Sequence, residues 1–101
     1  MTNAEIDRAV AEHVFGDVVP VVFEPTKNIS DAWRVVEKMR ELRWCPCVNV
    51  IERRQPVEWH ANFVQDRVHS DVWADTAPLA ICKAALKALG IDPEGAPDGV
   101  A

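Results

Sequence analysis

Three stretches of the chain carry apolar residues at helical spacing and are closed by capping residues, and between the second and third the pattern changes to short alternating runs joined by tight turns. Strands that close in sequence pair antiparallel, because a parallel return needs a crossover of a dozen or more residues. Helices set around a small antiparallel sheet make an α+β domain. The spacing therefore predicts the order α-β-α-β-β-β-α.

Thr2-Asn3-Ala4-Glu5 has the Thr-x-x-Glu pattern of a capping box, and Ile6, Ala9, Val10, His13 and Val14 follow at helical spacing up to Gly16. The first helix is expected from about Asn3 to Phe15. Val18 to Phe23 is a β-branched run that reads as a buried strand, demoted to an edge or a bulge by Pro20. Asn28 or Ser30 then caps a second helix whose apolar face is Ala32, Val35, Val36, Met39 and Leu42, with Glu37 and Arg40 spaced for an i,i+3 pair. Trp44 to Ile51 is the next strand. In the one after it, Val57, Trp59, Ala61 and Phe63 alternate with Glu58, His60 and Asn62, and Val68 to Trp73 forms the last. Thr76 or Ala77 caps the final helix, with Pro78 in its first turn, a stripe of Leu79, Cys82, Ala85, Leu86 and Leu89, and Gly90-Ile91 suited to a Schellman exit.

A chain of 101 residues supports one domain with one modest core, here residues 1–91, followed by a flexible acidic tail at 92–101 that has almost nothing to bury. The formal net charge of −5 excludes an extended nucleic-acid surface. The tail holds Asp92, Glu94 and Asp98, so the folded body is close to neutral and leaves room for a local anion pocket. The start Met1-Thr2-Asn3-Ala4-Glu5-Ile6-Asp7 lacks the basic and apolar regions of a secretory leader, and no apolar run approaches the ~20 residues that span a bilayer. With three cysteines, an odd number, the composition reads as a reduced cytosolic protein.

Four segments carry a resemblance. They are Glu5-Ile6-Asp7-Arg8-Ala9-Val10-Ala11-Glu12-His13-Val14 ending at Gly16, Ile29-Ser30-Asp31-Ala32-Trp33-Arg34-Val35-Val36-Glu37-Lys38-Met39, the paired strands from Phe63 to Trp73, and the stretch from Asp75-Thr76-Ala77-Pro78 to Gly90. Together they resemble the phage ABA sandwich domain family over most of residues 3–91. The second and last segments match residue by residue; Val18 to Thr26 and Cys45-Pro46-Cys47 match least. The resemblance implies a three-layer α/β/α sandwich with helices on both faces of the sheet, a phage origin and a life in the host cytoplasm. It brings no established catalytic residues.

Several constellations have a chemical and a plain reading. Cys45 and Cys47 with His60 and His69 have the residue types of a zinc set, but the spacing is not that of paired Cys-x-x-Cys ligands, and buried strand cysteines are favoured. Glu58 with His60 and His69 with Asp71 each share a strand face, as a carboxylate–imidazole pair would, yet alternation on a half-exposed strand accounts for them more simply. No Gly-x-Ser-x-Gly, Walker-type or His-Glu-x-x-His spacing occurs, so no enzyme and no cofactor are expected. Of the four tryptophans, Trp44 and Trp59 read as core, while Trp33 and Trp73 suit an interface or a stacking platform.

The starts of the second and third helices offer free amides beside Ser30 and Thr76, with Lys27, Arg34, Arg53, Arg54 and Arg67 as nearby bases. Ser30, Trp33, Arg34, Arg67, Trp73 and Thr76 are thus the candidate ligand contacts. They suit a non-enzymatic binding protein that captures a small nucleotide-like ligand, such as a host immune signal, and works as a homo-oligomer. The alternative is a protein–protein module that uses the Pro-interrupted edge strands and exposed tryptophans.

Overall fold

The computed structural model of the chain describes residues 1–51 and 58–93. Helix α1 (Asn3–His13) begins at the expected capping box: the Glu5 amide donates to Thr2 Oγ1 (3.2 Å), and the Thr2 amide donates to Glu5 Oε1 (3.0 Å). That second bond holds the Glu5 carboxyl below its ordinary range. Helix α2 (Ile29–Glu41) is capped by Asn28, not Ser30; the Asn28 side chain accepts from the amides of Ser30 and Asp31. Helix α3 (Ala77–Ala88) is capped by the Thr76 hydroxyl, which accepts from the Leu79 amide, and leaves through Gly90 at φ +82°, where the Ile91 amide reaches back to the Leu86 carbonyl (2.9 Å).

Strands β1 (Cys45–Ile51), β2 (Glu58–Gln65), β3 (Val68–His69) and β4 (Val72–Ala74) form one antiparallel sheet. β1 pairs with β2 from Cys45 opposite Val64 to Ile51 opposite Glu58, and β3 and β4 both pair with the other side of β2. The expected strand from Val68 to Trp73 is therefore two short ones, broken at Ser70. Ser70 is fully buried and takes over the ladder: its hydroxyl accepts from the Phe63 amide (3.0 Å) and its amide donates to the Phe63 carbonyl (3.1 Å). Ser70→Ala leaves the Phe63 amide without that acceptor in the core. It is expected to cost about 1–3 kcal/mol, read as a fall in the urea midpoint at unchanged m-value.

The α+β sandwich of three helices and a small antiparallel sheet stands, but its element order is α-α-β-β-β-β-α. Residues 18–23 form no strand. Pro20 removes a donor from the run, the core closes without it, and Val18, Val21 and Val22 lie 84%, 104% and 73% exposed. The run is an apolar arm between α1 and α2, held at its base by the edge-to-face contact of Phe15 with Phe23 (5.3 Å).

α3 is the central element, touching both other helices and β1, β2 and β4. Its near-continuous apolar surface suits that place: Ala80, Ile81, Cys82, Ala84, Ala85 and Leu86 are all buried. Ile6 and Val10 of α1, Val35 and Met39 of α2, and Ala61, Phe63 and Val72 of the sheet join the same cluster. Burial pushes the Cys82 thiol well above its ordinary value, with smaller pushes from the Asp7 and Asp31 carboxylates. The sheet meets the helices through Val48, Trp59, Ala61, Phe63, Val72 and Ala74. Its alternate positions, Cys45, Cys47, Asn49, His60, Asn62 and Trp73, form the opposite face. Among the described residues no helix is long and apolar enough to cross a membrane. Asp92 and Pro93 of the expected tail are placed; residues 94–101 lie outside the described residues.

Candidate functional site

The side chains with unspent binding capacity gather where α2 ends and β1 begins. α2 presents Trp33, Val36 and Arg40 along one face, at i, i+3 and i+7. The helix then closes through Arg43 at φ +74°, with the Trp44 amide returning to the Met39 carbonyl (2.9 Å). Glycine is the usual residue for that left-handed position. An arginine there lines the groove beside Trp44, Cys45 and Pro46. The result is a cleft of about 610 Å³, within the size range of small-molecule sites.

Two tryptophans and two arginines line this cleft, and no carboxylate does. Trp33 is 53% exposed and Trp44 buried, so one indole is a free platform and the other a wall. Neither Arg40 nor Arg43 forms an ion pair among the described residues, and the Glu37–Arg40 pair that the spacing allows is not made. Glu37 and Glu41 line a neighbouring depression that shares Trp33 and Arg40 with the cleft. Positive charge, flat aromatic surface and unshared guanidinium donors are what recognise a phosphate attached to a ring.

The six residues expected to contact a ligand do not meet in one cavity. Trp33 lines the cleft just described. Ser30 and Arg34 are exposed on the same helix but do not line it, Arg67 is exposed in the β2–β3 turn, and Thr76 spends its hydroxyl on capping α3. Arg53 and Arg54 lie outside the described residues, while Lys27 is exposed before α2. Arg40, Arg43 and Trp44 line the cleft and are not among the expected contacts. The helical spacing of Trp33, Val36 and Arg40 was there to be seen, whereas the turn that aims Arg43 is a tertiary outcome.

Trp73 lines a second cavity, of about 590 Å³, between β4 and the exit of α3. Its ring lies 4.8 Å from that of His60, tilted by 36°, and His60 Nε2 meets Asp71 Oδ1 at 2.7 Å. The imidazole–carboxylate pair is thus made across strands, His60 to Asp71, and not within a strand as the alternation suggested. Lys87 Nζ donates to the Asp71 carbonyl (3.0 Å), and the carboxylates of Asp71 and Asp92 share the lining. One lysine against two aspartates makes this cavity a poor seat for a phosphate.

Cys45 and Cys47 are exposed, not buried as expected, because they sit on the sheet face opposite the core; Asn49 Nδ2 donates to Cys47 Sγ (3.2 Å). Cys45 lies opposite Val64 and Cys47 opposite Asn62, so the register brings neither beside His60 or His69. No group of three or more His, Cys, Asp or Glu side chains converges among the described residues.

The comparisons with known proteins agree with this architecture. A family model described as the Phage ABA sandwich domain matches residues 6–86. Among solved structures, the chain is similar to a phage protein from Bacillus cereus ATCC 14579, with 27% identity, 91% of each chain covered and a TM-score of 0.77. No curated protein matches the chain.

Proposed function

The chain belongs to the phage ABA sandwich domain family, and from that premise we propose that it is a non-enzymatic phage accessory protein that binds a nucleotide-type host signal and withdraws it from antiviral defence in the host cytoplasm. The reading rests on one observation: a cleft of small-molecule size lined by Trp33, Trp44, Arg40 and Arg43 and by no carboxylate. A base or nicotinamide-like ring stacks on the exposed face of Trp33, and the two guanidiniums take the phosphate oxygens. Sequestration asks nothing more of the site than affinity. The cleft accordingly needs no nucleophile or general base beside the ligand, only an aromatic platform and fixed positive charge.

The test is a thermal-shift and calorimetric panel of a nucleoside diphosphate, a cyclic dinucleotide, the matching nucleoside and inorganic phosphate. At a hundredfold excess over Kd, a bound nucleotide adds about 2.7 kcal/mol of stability, which raises the melting midpoint of a domain this size by roughly 10 °C or more. Phosphorylated nucleotides are expected to give this shift and the bare nucleoside is not. A panel in which no phosphorylated nucleotide binds overturns the reading.

A further inference from the structure

The cleft shares Trp33 and Arg40 with a neighbouring depression of about 500 Å³, whose remaining lining is Glu37 and Glu41. Both glutamates are exposed, and neither carboxylate makes a hydrogen bond or an ion pair among the described residues. Glu37 and Arg40 have the i,i+3 spacing of a pair and leave each other free. One exposed indole is thus bordered by unspent acceptors in the depression and by unspent donors in the cleft.

Their order along α2 sets the two ends of a ligand. Glu37 follows Trp33 by four residues, and helical side chains lean toward the N-terminus, so Glu37 and Trp33 line one wall together. Arg40 lies seven residues past Trp33, about 10 Å along the axis from the helical rise, and Arg43 follows just beyond the helix end. That is the span of one nucleoside from its ring to its phosphate. Trp44 is buried, so Trp33 is the one free indole of the cleft and stacks one base.

The glutamates decide which base. An ionised carboxylate only accepts hydrogen bonds, and its two oxygens are best met by two parallel donors. Guanine offers such an edge, with N1–H beside the 2-amino group. Adenine and cytosine set a ring-nitrogen acceptor next to their amino group, and uracil flanks its N3–H with two carbonyls. Each of those three turns a lone pair toward the carboxylate. Hypoxanthine keeps N1–H but lacks the amino group, and so falls one bond short.

Given the nucleotide cleft, on which this inference rests, we propose that Glu37 reads the base and that the site takes a guanine nucleotide. The ring lies on Trp33, N1–H and the 2-amino group donate to the Glu37 carboxylate, and the phosphates lie on Arg40 and Arg43. Glu41, one turn farther along, adds negative charge that favours a donor edge in the depression and keeps the phosphates at the arginines.

The experiment is calorimetric titration of the full chain with GDP, inosine diphosphate, ADP and CDP, for the wild type and Glu37→Gln. GDP is expected to bind the wild type about tenfold or more tightly than ADP or CDP, with inosine diphosphate between them, as withdrawal of hydrogen bonds to a charged group implies. Glu37→Gln keeps the shape but cannot accept both bonds, so GDP is expected to fall to the level of inosine diphosphate or below while ADP binds no more weakly than before. The Glu37 side chain is exposed and without a partner among the described residues, so circular dichroism and the urea midpoint are expected to stay unchanged. Equal affinities for GDP and ADP, or a GDP preference that survives the substitution, overturn the base assignment and leave the cleft reading standing. Failure of all four nucleotides to bind overturns the cleft reading itself, and the base assignment with it.

Discussion

Replacing Arg40 and Arg43 together by glutamine is expected to weaken nucleotide binding by on the order of a hundredfold or more, with the fold intact. A hydrogen bond to a charged group contributes about 1.5–3 kcal/mol, a factor of roughly ten to a hundred per guanidinium. Both side chains are exposed and free of ion pairs among the described residues, so removing them leaves nothing buried and unpaired. The unliganded stability is expected to move by less than about 0.5 kcal/mol.

Arg43 supplies an internal control. Its backbone is at φ +74°, a conformation that costs a side-chain-bearing residue about 1 kcal/mol relative to glycine. Arg43→Gly is therefore expected to raise the urea midpoint while lowering affinity. Opposite signs in the two measurements separate a binding role from a structural one. If calorimetry finds the double glutamine variant binding nucleotide as the wild type does, the arginines are not the phosphate contacts.

Phe63→Ala carries the largest expected cost to folding, about 3–5 kcal/mol. Phe63 is the largest fully buried side chain, stands in the middle strand of the sheet and faces α3. Its truncation removes the apolar body that joins sheet to helices, and the neighbours are poorly placed to close in: Pro46 opposite it is held in β1, and the alanines of α3 have no longer side chain to offer. Domains of this size have about 5–15 kcal/mol in total, so the variant sits near the edge of folding. The measurement is the urea midpoint at constant m-value. A loss under about 1 kcal/mol would mean that Phe63 is not the centre of the core.

The helices were legible because their signals are local. The Thr2–Glu5 box, the Asn28 cap and the Gly90 exit act within one turn, and each is where the spacing puts it. The Val18 to Phe23 run misled for the complementary reason: β-branched residues indicate a surface suited to a sheet but not whether a partner strand is present. The split at Ser70 was invisible, since a hydroxyl standing in for a ladder bond depends on what lies across from it. The family resemblance pointed to the sandwich, which no periodicity contains. At the candidate site, Trp33 was legible as an amphipathic aromatic at the start of a helix. The spacing offers Arg40 as a partner for Glu37, and Arg43 is a lining residue only through the left-handed turn that ends α2.

The burial of Cys82 gives the chain a molecular clock. A thiolate reacts with alkylating reagents and a thiol does not, and Cys82 is both shut away from reagent and held in its protonated form. Cys45 and Cys47, exposed on the sheet, label in the native state. The third label arrives only when α3 parts from its neighbours, at a rate set by the free energy of opening. Labelling followed by intact mass thus shows two quick additions and one slow one, and the lag of the third measures how often the centre of the molecule comes apart. A ligand that grips the α2–β1 cleft lengthens that lag wherever the same opening must release it.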